Sequence, residues 1–382
     1  MASRLKQALT GAIIMGAGAA AGLLLAVPFE RAMGETFRIA ESVGVSACVP
    51  PCPDPDAGAG SRLSGVGSRP PTTEFRDPLS ILFIGDIMLD RLVATRVKKA
   101  KDPAYPFVGI RDGNGRYFRG QDLVVANLEG PVAAAHASPV KTNDFAFATT
   151  SAPLLYRVGI DAVSQANNHA LDQGREAAFE SKKYLRNAGI VVFGDQVYDD
   201  ATSSLAYVEK NGWKIALLGF NDTDNRVDLK EAEEAVRRAT TTADLVIVYM
   251  HWGVEYRATP DSRQTDLAHW FIDRGAHAVI GSHPHWMQSV EVYNGRPIAY
   301  SLGNFVFDQD WSSETRYGLA VKLVHDETSS ALRLHPVSIT RSQPVFLLGK
   351  ERDKRLKRLA NISDATWSEE IKQGTIALSG IE

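Results

Sequence analysis

Cysteine is nearly absent. The 382-residue chain has two, Cys48 and Cys52, both in the stretch ACVPPCPDP. A multi-disulfide scaffold is therefore excluded, and two cysteines without a second pair are poor evidence for a zinc site. In an oxidising compartment they can pair with each other or with another chain; the prolines around them suit a local staple or no role. A surplus of charge is missing as well: the formal net charge is −3, with 23% charged residues. No Lys/Arg-rich block stands outside a helical pattern, so nucleic acid is not an expected partner. Internal repeats are absent, and long hydrophobic runs are confined to one place.

That place is residues 7–29, QALTGAIIMGAGAAAGLLLAVPF, which carry no charge and follow Arg4 and Lys6. About 20 apolar residues suffice to cross a bilayer as a helix, and the flanking basic residues would stay cytoplasmic. A retained anchor is preferred to a cleaved signal peptide, because no A-x-A site follows the apolar run at 23–25 cleanly. A buried soluble helix is the third alternative, and nothing amphipathic marks it. The expectation is a single-pass protein of the inner or cytoplasmic membrane, with the rest of the chain on the extracytoplasmic side, periplasmic or external. Residues 50–78 hold seven prolines with Gly and Ser between them, the composition of an extended linker. The organisation expected is an anchor or signal peptide at 1–29, a linker at 30–78, a domain at 79–340 and a basic, helical extension at 341–382.

With 44% hydrophobic residues, the domain is foldable. Short apolar runs predict strands at 79–85, 123–127, 162–166, 191–193, 214–219, 245–251 and 278–281. The first ones are continuous rather than alternating, as for strands covered on both faces. Helical patterns separate several of them: REAAFESKKYLRNAG stops at Gly189, LKEAEEAVRRA has helical apolar spacing, and DSRQTDLAHWFIDRGA runs from Asp261 or Ser262 to Gly275. Asn294-Gly295 in SVEVYNGRPIAYSL predicts a hairpin. The fold class is α/β, in layers.

Polar groups follow the apolar runs. ILFIGDIMLDR, residues 81–91, ends its run in Asp86. ANLEGPV brings Asn127 and Glu129; QANNHALDQG brings Asn167, Asn168, His169 and Asp172; HWGVEY brings His251 and Glu255; GSHPHW brings His283 and His285; YSLGNFVFD brings Asn304. Four of the nine histidines lie in these turns. Each piece alone has a plainer role, such as a helix cap for Asp86, turn formation for Asn127 and Glu129, or core packing for His251. Ligands in open α/β sheets bind beyond the carboxyl ends of the strands, so these segments are expected to converge at one edge of one sheet. Carboxylate, amide and imidazole donors suit one or two divalent ions such as Mn, Fe or Zn, and a cation would neutralise Asp86 at the end of a buried strand. In GSHPH, Pro284 is expected to hold two imidazoles on an extended segment as a chelating pair. Lys141, in SPVKTNDFAF, is a weaker candidate for a carboxylate contact.

The ordered set GDIMLDR, NLEGPV, NNHALDQG, HWGVEY, GSHPHWMQ and YSLGNFVFD resembles the CapA/PgsA family of bacterial capsule-synthesis proteins, a branch of the calcineurin-like metallophosphatase superfamily. The resemblance covers residues 79–310. It implies a two-sheet sandwich flanked by helices, with metals at the sheet edge, and an anchored extracytoplasmic domain acting in poly-γ-glutamate production. It implies metal ligands Asp86, Glu129, Asn168, His251, His283 and His285, with His169 as proton donor to the leaving group. Asn127, Asn167, Asp172, Glu255 and Asn304 are left for support or substrate. The superfamily opens with Asp-x-His; here Met88 takes the place of the histidine and is no hard-metal ligand. The function implied is metal-dependent hydrolysis or transfer on an anionic surface polymer, poly-γ-glutamate or a relative. The alternatives are a non-enzymatic scaffold for the polymer or for membrane-bound synthase subunits, and a general periplasmic phosphoesterase.

Overall fold

The computed structural model describes residues 76–136, 143–194 and 204–378. The apolar run at 7–29, both cysteines, most of the linker and Lys141 lie outside the described residues. Among the described residues no helix is long and apolar enough to cross a membrane.

The chain begins with β1 (Leu79–Ile87), α1 (Arg91–Ala100), β2 (Leu123–Leu128), α2 (Ser151–Arg157), β3 (Ala162–Ser164), α3 (Gly174–Asn187) and β4 (Val191–Phe193). There follow β5 (Leu205–Lys210), β6 (Trp213–Asp222), α4 (Leu229–Thr240), β7 (Leu245–Trp252), α5 (Ser262–Asp273) and β8 (Ala278–Ser282). Then come β9 (Val290–Tyr293), β10 (Arg296–Ala299), β11 (Asn304–Val306), β12 (Tyr317–His325) and β13 (Ser330–Thr340). The described chain closes with β14 (Gln343–Phe346), α6 (Gly349–Ile362), α7 (Ser368–Gln373) and β15 (Thr375–Leu378).

Two sheets form. The first runs β14-β13-β12-β1-β2-β3-β4, with β11 beside β1 and β15 beside β13; the second runs β5-β6-β7-β8-β10-β9. Alternation along the strands explains the layers. Leu79, Ile81 and Phe83 of β1 meet Leu245, Ile247 and Tyr249 of β7 in one core between the sheets. Leu82 and Ile84 face the other way, into a core that includes Val93, Leu155 and Leu185 of α1, α2 and α3. Val246, Val248 and Met250 face Ala235 of α4 and Phe271 of α5. Each sheet is thus buried on both sides, which is why its parallel strands read as unbroken apolar runs. Each large apolar side chain buried this way contributes about 1.5–3 kcal/mol.

All seven expected strands are present, with ends shifted by a few residues. The helix caps follow the predicted chemistry. Asp90, not Asp86, accepts from the N-terminal N–H of α1, Asp261 forms a capping box on α5, and Gly189 (φ 92) and Gly275 (φ 98) follow α3 and α5. Asn294 and Gly295 both have positive φ, as the hairpin β9–β10 requires. Two expectations need correction. The site-bearing strands do not share one sheet: β1, β2 and β3 belong to the first and β7 and β8 to the second. A hydrophobic run cannot reveal which strands pair. The region after residue 341 also adds more than helix, since β14 and β15 extend the first sheet along β13.

The sheets are joined where β1 ends. The Tyr249 hydroxyl donates to the Ile84 carbonyl at 2.8 Å. Gly85 follows, and a Cβ built there would stand 1.9 Å from the Gly303 carbonyl oxygen. That close approach lets the Asp86 N–H donate to Gly303 O at 3.0 Å, which places the Asp86 carboxylate at the junction.

Candidate metal centre

Asp86 and Glu129 are fully buried, and His285 is 3% exposed. They come from the ends of β1, β2 and β8, and one potential ligand atom from each lies within 4.8 Å of the others. His285 Nδ1 is 3.3 Å from Asp86 Oδ2, and its Nε2 is 3.7 Å from Glu129 Oε1. Neither Glu129 oxygen has a hydrogen-bond partner among the described residues.

Electrostatics say what this niche wants. Burial pushes the Glu129 carboxyl well above its ordinary range, against the pull of His285. Burial works the other way on His285, but Glu129 and Asp86 overcome it and raise the imidazole to about 9. Both shifts have one meaning: two carboxylates in a water-poor pocket demand positive charge, and in the metal-free chain retained protons supply it. Two carboxylate oxygens without partners and an imidazole nitrogen therefore fit a hard-to-borderline divalent ion.

Asn168, His251 and His283 form a second group next to the first. His251 Nε2 is 2.9 Å from Asn168 Oδ1, and the His251 and His283 rings are 4.7 Å apart. His283 Nδ1 is buried without a hydrogen-bond partner. Burial, reinforced by neighbouring imidazoles, holds His251 well below the usual histidine range and His283 at about 3. Both are therefore neutral, the form that ligates metal. Of the six expected ligands, Asp86, Glu129 and His285 lie together, and His251, in contact with Asn168 and His283, stands beside them. The GSHPH segment is not extended, however: His283 has φ 93 and His285 φ 58. The left-handed backbone at both residues sends His283 to the second group and His285 to the first, and strain of this kind gathers at functional sites.

A supporting shell holds the donors. Asn127 Nδ2 donates to Asp86 Oδ1 at 2.8 Å, and Asn127 Oδ1 accepts from Asn167 Nδ2 at 3.0 Å. Asn304 uses its amide nitrogen on Thr315 O and Gln309 Oε1, so its oxygen accepts from His285 Nδ1 at 3.0 Å. That bond leaves His285 Nε2 aimed at Glu129, the orientation partner typical of ligating histidines. Met88 is buried in the helix-side core, where its sulfur accepts from Asp90 N at 3.1 Å.

His169 stands beside this centre. Its Nδ1 donates to Asp172 Oδ2 at 2.7 Å, an oxygen that also accepts from Phe145 N at 2.7 Å. Its Nε2 lies 3.9 Å from Glu129 Oε1. Glu255 is exposed at the rim, where its charge acts on Glu129 and on Tyr256. Sequence reasoning assigned no role to Phe145, whose ring stacks on His169 at 4.1 Å. Nor did it find Ser282, whose hydroxyl is 3.0 Å from His251 Nδ1. Ser282 lay inside the quoted GSHPH segment, but nothing in a serine's position marks it as an imidazole's partner.

Fold and donor set together define a class: an α/β protein of two stacked sheets, with a buried carboxylate–imidazole centre where its parallel strands end. The family model for bacterial capsule synthesis protein PGA_cap matches residues 80–309, a span that contains all six quoted segments, and the chain belongs to that family. It is 30% identical over 285 residues to the PGA biosynthesis protein CapA of Bacillus subtilis, covering 70% of this chain and 73% of the relative. With the capsule biosynthesis protein CapA of Bacillus anthracis it shares 29% identity over 317 residues, 76% of each chain. Among solved structures, a novel phosphatase from Mycoplasma pneumoniae is 13% identical. That match covers 71% of this chain and 92% of that chain, with a TM-score of 0.38.

Proposed function

We propose that this chain acts in the synthesis or processing of a poly-γ-glutamate capsule, as an anchored extracytoplasmic protein with a metal-dependent hydrolase or transferase site. The observation that carries the reading is the buried Asp86–Glu129–His285 triad, with both Glu129 oxygens unpartnered. The names of the Bacillus relatives support the capsule role.

A divalent ion bound there supplies Lewis-acid charge to a substrate oxygen. The chain's own residues do the rest. Asp86, Glu129 and His285 would hold one ion, and Asn168, His251 and His283 would hold a second. The Asp172 carboxylate holds the His169 Nδ1–H and stabilises the imidazolium, and it is from that doubly protonated form that Nε2 would give a proton to the leaving group. Phe145 covers one face of that imidazole and keeps water from it.

The test is elemental analysis of the full chain, reconstituted with manganese, iron or zinc, beside a His283→Ala/His285→Ala variant. About one or two equivalents of metal in the parent, lost in the variant, support the centre. A screen of γ-glutamyl polymers and phosphoesters then identifies the bond acted on. A parent that takes up none of these metals rules out the catalytic reading and leaves a polymer-binding scaffold.

A further inference from the structure

Arg91, the last residue of GDIMLDR, has no part in the centre as described. It opens α1 with φ 52, a left-handed conformation. Its Nε donates to Asp308 Oδ2 at 3.1 Å and its Nη2 donates to Asp308 Oδ1. The Leu92 N–H reaches the same carboxylate at 3.1 Å. The Asp308 side chain is 3% exposed and that of Arg91 34%. The guanidinium carbon lies 5.2 Å from the centre of the Phe145 ring and 5.7 Å from that of Phe307. Phe145 is the ring stacked on His169, and Phe307 lies 4.8 Å from His285. Arg91 is thus one aromatic ring removed from the proton donor and from a ligand of the centre.

The plainer role is an ion pair tying α1 to the segment after β11. A partly exposed pair contributes little to stability, and left-handed backbone costs an arginine more than it costs a glycine. A tie alone is a poor return for that strain. A guanidinium has five N–H donors in a fixed fork. Asp308 occupies the Nε/Nη2 edge, and Nη1 makes no hydrogen bond among the described residues, on a side chain that is 34% exposed.

We propose that Arg91 reads the substrate's charge: locked on Asp308, it binds an anionic oxygen, of a carboxylate or a phosphate, next to the reacting bond. This rests on the metal-centre reading above. A fork already fixed by Asp308 loses little freedom on binding, which is what makes arginine selective for such groups. Tyr256 (φ 62), like Arg91, His283 and His285, is among the ten non-glycine residues with positive φ in the described chain, and its ring lies 6.0 Å from that of His285.

The test measures calorimetric binding of γ-linked glutamate oligomers, of the same oligomers carboxyl-methylated, and of inorganic phosphate, with metal content read alongside. It uses the full chain reconstituted with metal, Arg91→Lys, and Arg91→Gln/Asp308→Asn, which keeps the pair neutral and bonded. The double variant is expected to lose about tenfold or more in affinity for the anion that the parent holds, with metal content unchanged. Arg91→Lys falls between, because it keeps charge without the fork. Methylation weakens binding to the parent and leaves the double variant indifferent if a carboxylate is read; preference for phosphate assigns the other source. Equal affinity in the double variant overturns the proposal, as does a parent that binds neither anion. A parent without metal overturns the metal-centre reading instead, while the affinity difference still reports on Arg91.

Discussion

The Asn127 amide donates to Asp86 Oδ1 across 2.8 Å, joining the end of β2 to the end of β1. Because Asn127 also accepts from Asn167 at 3.0 Å, one neutral side chain orients a ligand and braces the loop that carries His169. Asn127→Ala removes these two buried hydrogen bonds and the Nδ2 contact to His251 Nδ1 at 3.3 Å, and leaves Asp86 without its guide. The expected results are a loss of about 2–3 kcal/mol in stability and metal affinity lower by about 10–100-fold. Urea unfolding and metal titration measure the two. Unchanged metal affinity would reduce Asn127 to a turn former.

Glu129 separates stability from function. Its carboxyl is fully buried, its oxygens lack partners, and burial already favours its protonated form. In the metal-free chain Glu129→Gln is therefore expected to stay within about 1 kcal/mol of the parent. Metal affinity falls by more than about 100-fold, beyond the loss that a supporting residue causes. Histidine NMR gives a second readout: with no Glu129 carboxyl left to ionise beside it, the His285 imidazole titrates lower than in the parent.

Gly85 is required by space and not by flexibility. Its Cβ position lies 1.9 Å from Gly303 O, a backbone atom that cannot rotate away. Gly85→Ala is expected to cost about 3 kcal/mol or more and to lower metal uptake by shifting Asp86. A variant with parent-like thermal stability would show that β1 and Gly303 can part without cost.

The pH response can be tested away from the metal centre. Burial lowers His277 to about 4, and its neutral Nδ1 accepts from Val246 N at 2.9 Å. An unfolded histidine titrates near about 6.5. Between these values the unfolded chain binds the extra proton, so stability falls as pH drops from about 6.5 toward 4. The slope for this one group is at most about 1.4 kcal/mol per pH unit. His277→Gln, which keeps an acceptor for Val246, is expected to flatten the profile over that window. Denaturant unfolding of parent and variant at pH 7 and pH 5 decides it; parallel profiles would remove His277 from the acid response.

Local chemistry was legible in the sequence. Unbroken apolar runs marked β1 and β7 because strands buried on both faces have no solvent side to encode. Asp261 and Gly275 marked the ends of α5 because helix termini need particular acceptors and particular backbone angles. The polar segments contained Asp86, Glu129 and His285, which lie together in the fold, because ligands gather where parallel strands end. Pairing was beyond reach: nothing in a run of Val and Ile says that β1 and β7 lie in different sheets, or that β15 returns to β13. The geometry of the centre belonged to the tertiary structure as well. His283 and His285 are two positions apart, yet their left-handed φ values send them to different groups. Asn127, Ser282, Phe145 and Arg91 acquire their roles from neighbours distant in the chain. Residue type sets what a side chain can bind, and the packing of two sheets sets what it meets.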